Sequence, residues 1–222
     1  MRTILKLLIL FLPWRFKRIV LKLCFGYDLH PKANIGLAWV YPGHLIMREG
    51  AKIAHFTTAI HLDAIRMERN TSIGRSNWIT GFSSSGQSKH FQHQPDRRSV
   101  LSMEEGAAIT KQHHLDCTSP ISIGKYTTIA GYRSQFLTHS IDILESRQDS
   151  KPITIGAYCF VSTGVLVLGG AVLPDCSVLG AGSLLNKKFN ESYMLYAGTP
   201  AKTLKSISKD AKYFSRPEPF VY

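Results

Sequence analysis

From Ile155 onward a large aliphatic side chain recurs at every sixth residue: Ile155, Val161, Val167, Leu173, Leu179 and Leu185. Four positions after each of the first five stands a small or medium residue, Cys159, Val165, Ala171, Ser177 and Ser183. The position after the large residue is often small too, as at Gly156, Ser162 and Gly180. Amphipathic helices repeat near 3.6 and half-buried strands near 2, so neither accounts for this spacing. A period of six rich in β-branched residues and glycine is the hexapeptide pattern of a parallel β-helix, in which each short strand sends one large side chain inward. Each corner then needs a residue that tolerates a sharp bend, which the Gly, Asn and Pro-Asp steps supply.

The pattern runs backward with interruptions. Met67, Ile73 and Ile79 are in phase, as are Met103, Ile109 and Leu115; two extra residues near Cys117–Pro120 reset the phase before Ile123 and Ile129. Two polar excursions leave the repeat. One runs from Ser83 to about Ser99, and the other lies in QFLTHSIDILESRQDSKPITIG, which carries Thr138, His139, Ser140 and Asp142. Insertions in a solenoid leave the stack as loops and often build the binding face. Surface decoration suits the first excursion better than the second. After Phe189 the period ends; a closing strand and turn follow, then a basic helix and tail through Lys209, Lys212 and Arg216 that caps the open end.

The chain carries 27 Lys+Arg against 15 Asp+Glu, a formal charge of +12. That excess suits a polyanion, an anionic membrane or an anionic cofactor. No nucleic-acid-binding motif accompanies it, which sets nucleic acid aside. The four cysteines, Cys24, Cys117, Cys159 and Cys176, make no CxxC and read as reduced, mostly buried thiols of a cytoplasmic protein. Basic residues cluster at the start, where Arg2, Lys6, Arg15, Lys17, Arg18 and Lys22 precede the first acid, Asp28. The apolar run Leu7–Leu12 stops at Pro13, too short for the roughly 20 residues of a span. With Trp14 and the apolar residues between the charges, residues 1–26 read as an amphipathic anchor on an anionic membrane surface, outside the catalytic fold. A helix packed on the same chain or on a neighbouring subunit is the alternative.

The stretch ITIGAYCFVSTGVLVLGGAVLPDCSVLGAGSLLNK, followed by YAGTPAK, resembles the hexapeptide-repeat acyltransferases. The resemblance covers about residues 35–205. The segment HHLDC…ISIGKYTTIAGYRSQFLTHSID is similar to the branch that serves exopolysaccharide, capsule and O-antigen, related to the galactoside, maltose and nodulation-factor acetyltransferases. It implies an all-β, left-handed parallel β-helix over residues 27–189, with loops near 83–99 and 141–152, an N-terminal amphipathic helical segment and a C-terminal strand, helix and tail over 190–222. It also implies a homotrimer, acetyl-CoA held in a groove between subunits, no metal, and an acceptor sugar in a surface polysaccharide or its lipid-linked precursor. Such precursors lie at the cytoplasmic face of a bacterial inner membrane, where a peripheral enzyme would meet them.

In that resemblance His139 matches the catalytic histidine, although the step from Ile129 to His139 is one residue shorter than in the simplest sugar acetyltransferases. A sugar hydroxyl is almost fully protonated near neutrality, and imidazole, whose unperturbed pKa is about 6.5, suits the base that takes its proton. The thioester is already activated, so no enzyme nucleophile is needed. Asp142 or Glu145 is expected to orient the imidazole, with a backbone carbonyl as the alternative. Thr163 and Ala181, 18 residues apart, stack in adjacent coils and match positions along the pantetheine arm. Lys187 and Lys202 match positions near the CoA phosphates, and Phe160 matches an acceptor wall, or else packs at a corner. His113 and Arg133 share a hexad phase one coil apart; with Asp116 they are expected to touch the acceptor or the acetyl oxygen, an Arg133–Asp116 ion pair being the alternative. Three histidines on zinc, as in a γ-class carbonic anhydrase, would enlist His113, His114 and His139. A non-catalytic hexapeptide scaffold is the third reading.

Overall fold

In the computed structural model, which describes residues 2–86 and 88–221, the hexads form a triangular solenoid of three sheets of seven, nine and seven strands, parallel except for the last strand of the second, which is antiparallel to its neighbour. Each coil contributes one short strand to each sheet, and coils stack in register. The first sheet aligns Leu29, Met47, Met67, Met103, Ile123, Ile155 and Leu173. The second aligns Ile35, Ile53, Ile73, Ile109, Ile129, Val161 and Leu179. The third aligns Val40, Ala59, Ile79, Leu115, Phe136, Val167 and Leu185. All of these belong to one continuous buried core. Burying each large aliphatic side chain contributes about 1.5–3 kcal/mol, which is why the inward position of every hexad is apolar. Coils approach closely: a Cβ on Gly74 would lie 2.0 Å from the Thr110 carbonyl oxygen.

The corners meet in part the expectation that Gly, Asn and Pro-Asp steps supply the bends. Between the first and second sheets, the left-handed position of successive coils is held by Gly50, Asn70, Gly106, Tyr126, Tyr158 and Cys176. Each of the last five donates its N–H to a carbonyl of the preceding coil. A left-handed non-glycine residue costs roughly 1–2 kcal/mol. Here the stack imposes the geometry, and the side chain is retained for what it packs against.

The N-terminal segment forms helices α1 (Arg2–Leu10) and α2 (Trp14–Phe25), and α2 ends in left-handed Gly26. Neither is long and apolar enough to cross a membrane. The expectation that this segment stands apart from the fold is corrected. Ile9 and Leu21 join the core, the Tyr41 hydroxyl donates to the Lys6 carbonyl, and buried Lys17 donates from Nζ to the Gly36 carbonyl at 2.6 Å. Burial pushes the Lys17 ammonium down to about 8. The helices close one end of the solenoid because its first coil would otherwise expose an apolar cross-section. Their other face is apolar too: Ile4, Leu8, Phe11, Phe16 and Leu23 are exposed, as is Cys24, which departs from the expected burial of the thiols.

At the other end Met194–Gly198 and Ala201–Ser206 form a hairpin on the second sheet. The Tyr196 ring stacks on Phe189 at 4.1 Å and plugs the core. The expected C-terminal helix is one 3-10 turn, Lys212–Phe214, because Pro217 and Pro219 cannot continue a helix. The tail instead returns along the outside of the second sheet. There the Arg216 guanidinium lies over the rings of Tyr126, Tyr158 and Tyr213 and donates to the carbonyls of Tyr126 and Tyr213.

Candidate active site

Both excursions leave the solenoid at the same edge, where the third sheet turns into the first. The earlier one follows the strand Trp78–Thr80, and the later one follows Gln135–Leu137. Between those two strands lies His114–Asp116, with Asp116 aligned to Thr80 on one side and to Leu137 on the other. Asp116 therefore sits between the roots of two segments far apart in sequence. The later excursion is a β-hairpin in which His139–Asp142 pairs with Arg147–Ser150.

His139 opens that hairpin two residues beyond Leu137, and its Nδ1 lies 2.5 Å from Asp116 Oδ2. A carboxylate can only accept, so Nδ1 carries a proton, and in the neutral tautomer that this selects Nε2 holds the lone pair. The His139 side chain is 40% exposed and that of Asp116 13%, which leaves one edge of the ring accessible and its anchor largely enclosed. The other carboxylate oxygen, Oδ1, accepts from the Thr118 N–H and hydroxyl at 3.0 and 2.6 Å. Asp116 is therefore held rigidly from behind. His139 borders a cavity of about 320 Å³ that continues past Gly169 to Asn186.

The first excursion is part of this site, contrary to its reading as decoration. Phe91 packs edge-on to His139 with ring centroids 6.2 Å apart. Gln94 Nε2 crosses to the hairpin and donates to Asp149 Oδ1 and the Ser150 carbonyl, and its Oε1 accepts from the Ser150 hydroxyl. Asp63 ties the base of the excursion by accepting from the Ser83 hydroxyl and the N–H groups of Ser84 and Ser99. Burial opposes its charge, but these bonds outweigh burial and hold the carboxyl below the usual range. Arg97 donates to the carbonyls of Phe82 and Thr118 at 2.6 Å and lies over the Phe91 ring, tying the excursion to the turn behind Asp116. No periodic signal marks these residues; only the concentration of polar side chains within the excursion hinted at bonding across to another segment.

Several expectations change. Asp142 does not orient His139: its Oδ1 accepts from the N–H groups of Leu144 and Glu145 and shapes the hairpin turn. Asp116, expected at the acceptor, takes the orienting place. His113 and Arg133 are not stacked, because His114 pairs with Gln135 and so His113 faces Ser134. That slip of one residue turns His113 inward and Arg133 outward. Buried His113 accepts from the Ser134 N–H at Nδ1 and bonds the Thr110 hydroxyl through Nε2, and burial pushes it down to about 4. It is a neutral core histidine and does not reach an acceptor. Arg133 lies over the Tyr132 ring and makes no ion pair with Asp116. His113 and His139 thus face different ways, so the three histidines of the zinc reading do not converge. Phe160 lies on the outer face of the second sheet, edge-on to Tyr213 beneath the C-terminal tail and away from His139. The Cys117 thiol beside Asp116 is fully buried; desolvation and the neighbouring carboxylate push its pKa well up, which removes it as a nucleophile.

Thr163 and Ala181 do lie in adjacent coils, with the Gly182 N–H donating to the Thr163 carbonyl. Both are exposed at the edge between the second and third sheets. The closing hairpin that carries Lys202 reaches the same edge, where Thr199 bonds the Gly182 carbonyl and Gly198 bonds the Ser183 hydroxyl. Lys187 lies on the His139 edge, one residue beyond Asn186, with its ammonium over the Phe189 ring. Within one chain, the third sheet separates the Thr163–Ala181 edge from His139.

No protein-family model matches this chain. Among solved structures, it is similar to the polysialic acid O-acetyltransferase OatWY, with a TM-score of 0.61 and 16% identity over 86% of this chain and 92% of that one. It is also similar to AntD, an N-acyltransferase from Bacillus cereus solved with dTDP and coenzyme A, with a TM-score of 0.50 and 9% identity over 86% of this chain and 90% of that one. These likenesses carry the fold, a left-handed parallel β-helix.

Proposed function

We infer that this chain, which has the fold of the hexapeptide-repeat acetyltransferases, is an acetyl-CoA-dependent O-acetyltransferase that acts on a sugar hydroxyl of a surface polysaccharide or its lipid-linked precursor. The observation that carries this reading is the His139–Asp116 pair at 2.5 Å, set between two insertions at the mouth of a cavity. In the reaction, Nε2 of His139 takes the proton of the acceptor hydroxyl as its oxygen attacks the thioester carbonyl. Asp116 stabilises the imidazolium that forms; the C–S bond then breaks and the leaving CoA sulfur takes the proton back from Nε2, so that CoA departs as its thiol and the imidazole is restored. The established activity of OatWY, O-acetylation of polysialic acid, agrees with this reading. The coenzyme A bound to AntD agrees with an acyl-CoA donor. The test is NMR of the surface polysaccharide from cells with and without this gene. Loss of one O-acetyl signal is the expected result, and an unchanged acetylation pattern overturns the reading.

The homotrimer is part of the same proposal, and the split between the donor-matched residues and His139 supports an assembly in which neighbouring copies share the site. A donor that touches Thr163, Ala181 and Lys202 as well as His139 has to lie between two copies, with one edge supplied by each. The outer face of the third sheet, with exposed Trp78 and half-buried Leu137, Leu166, Leu168 and Leu184, provides apolar area for that contact.

The outward face of α1 and α2 is read as the anchor on an anionic membrane. Leu8, Phe11 and Leu23 are exposed between Lys6, Arg15, Arg18 and Lys22, and no acid precedes Asp28. Each basic group near such a surface contributes about 1 kcal/mol, and the apolar side chains enter the headgroup boundary. A Leu8→Glu/Phe11→Glu protein keeps the core contacts of Ile9 and Leu21. It is expected to melt like the wild type yet fail to sediment with anionic liposomes, whereas the wild type sediments and is released by salt. Equal sedimentation of the two proteins would remove the membrane reading. Truncation to Tyr27, by contrast, is expected to destabilise the fold, because it uncovers the first coil.

A further inference from the structure

A second cavity, of about 520 Å³, opens between the two insertions and shares Phe91 with the surroundings of His139. The first insertion contributes Lys89, His90, Phe91 and His93 to its wall, and the hairpin contributes Ile141 and Arg147. No carboxylate is among its lining residues. Of the carboxylates on the hairpin, Asp149 accepts from Gln94 and lies 3.8 Å from His93 Nε2 and 3.9 Å from Lys151, Asp142, across the hairpin from Arg147, accepts from the N–H groups of its own turn, and Glu145 makes no ion pair with any described residue. Lys89 and Arg147 make no ion pair with any described residue. Phe91 belongs both to this wall and to the contact with His139, so a ligand in the cavity that passes Phe91 arrives at the imidazole.

We propose that the acceptor is an acidic saccharide, whose anionic group is held by Lys89 and Arg147 between the two insertions while a neighbouring hydroxyl reaches His139. This rests on the transferase reading above and names its substrate class. A concave surface lined by one sign of charge concentrates ligands of the opposite sign. A guanidinium pairs with carboxylate or phosphate oxygens through two parallel N–H donors, whereas a neutral sugar would desolvate both cations without pairing them. Carboxylate and phosphate share this chemistry. The phosphates of acetyl-CoA are the other anions at hand, but the residues matched to the donor lie on a different edge or beyond Asn186.

The test is calorimetry on the full-length protein and on a Lys89→Gln/Arg147→Gln variant, whose substitutions are both on exposed side chains. The probes are a sialic acid hexamer, a galacturonate hexamer, the carboxyl-reduced form of each, a phosphodiester-linked hexasaccharide, and acetyl-CoA. The expected result is that at least one acidic saccharide binds the wild type about tenfold or more tightly than a neutral hexamer. That preference collapses in the variant and at high salt, while acetyl-CoA affinity is unchanged. The carboxylate and phosphodiester probes then tell which anion is read. The proposal is overturned if acidic and neutral saccharides bind alike, if no acidic saccharide binds, or if the variant loses acetyl-CoA affinity alone, which would assign the two cations to the donor. Failure of the wild type to bind acetyl-CoA would instead overturn the transferase reading, and the saccharide preference would still be measured.

Discussion

Replacing His139 by Ala is expected to lower acetyl transfer by about 10²–10⁴-fold while leaving acetyl-CoA affinity near that of the wild type. The separation follows from where the imidazole sits. Its Nδ1 is occupied by Asp116 and the residue borders the cavity that runs past Gly169 to Asn186, while Thr163 and Ala181, matched to the donor, lie on another edge of the solenoid. Removing the ring takes away a proton acceptor without touching those positions. Because 40% of the side chain is already solvated, its loss leaves little void and the melting transition should be preserved. Single-turnover transfer and donor titration on the same preparation check both halves. Transfer within a few-fold of the wild type would show that another group removes the proton.

Asp116→Asn is expected to cost up to about 10⁴-fold in kcat with the fold intact. The reason lies in the bonds behind the carboxylate. Oδ1 accepts from both the N–H and the hydroxyl of Thr118, so an asparagine there must keep its carbonyl oxygen on that side. Its NH₂ then faces His139 and donates to Nδ1, which moves the ring proton to Nε2 and blocks that nitrogen as a base. The loss should appear in kcat, with KM for the acceptor little changed. Asp142→Asn should change transfer by less than about twofold, because that side chain accepts only from its own turn. Measuring both variants decides between them; a larger loss from Asp142→Asn would return the orienting role to the hairpin.

The solenoid was legible because its determinant is local and periodic. One inward side chain per hexad can be counted from Ile155 to Leu185 without knowing any contact, and each counted residue is in the core. His139 was legible for a related reason, as a polar residue where the count breaks. The count fails wherever coils differ in length. His113 and Arg133 look equivalent by phase, yet the real alignment of His114 with Gln135 puts one inside and the other in solvent. The Asp116–His139 bond was hidden in the same way, since it joins residues in adjacent coils whose offset depends on that slip. Tyr126, Tyr158 and Cys176 hold left-handed corners with no residue type to announce them, because the neighbouring coil rather than local preference fixes their backbone. Gln94, Arg97 and Asp63 act through bonds between segments remote in sequence, and no spacing rule encodes those.

The shared edge of the two insertions has a consequence for how such a molecule diversifies. Each insertion begins and ends at one corner, and the strands beyond it resume their register as though nothing intervened, Ile65 aligning with Leu101 and Ile121 with Ile153. The scaffold is therefore indifferent to what is spliced in, provided the roots at Asp63 and at Thr138 and Ser150 are kept. On the proposed function, acceptor preference is expected to be exchangeable as a cassette, by swapping the segment between Ser83 and Ser99 together with the hairpin it grips through Gln94, while the His139–Asp116 pair and the buried columns remain as they are.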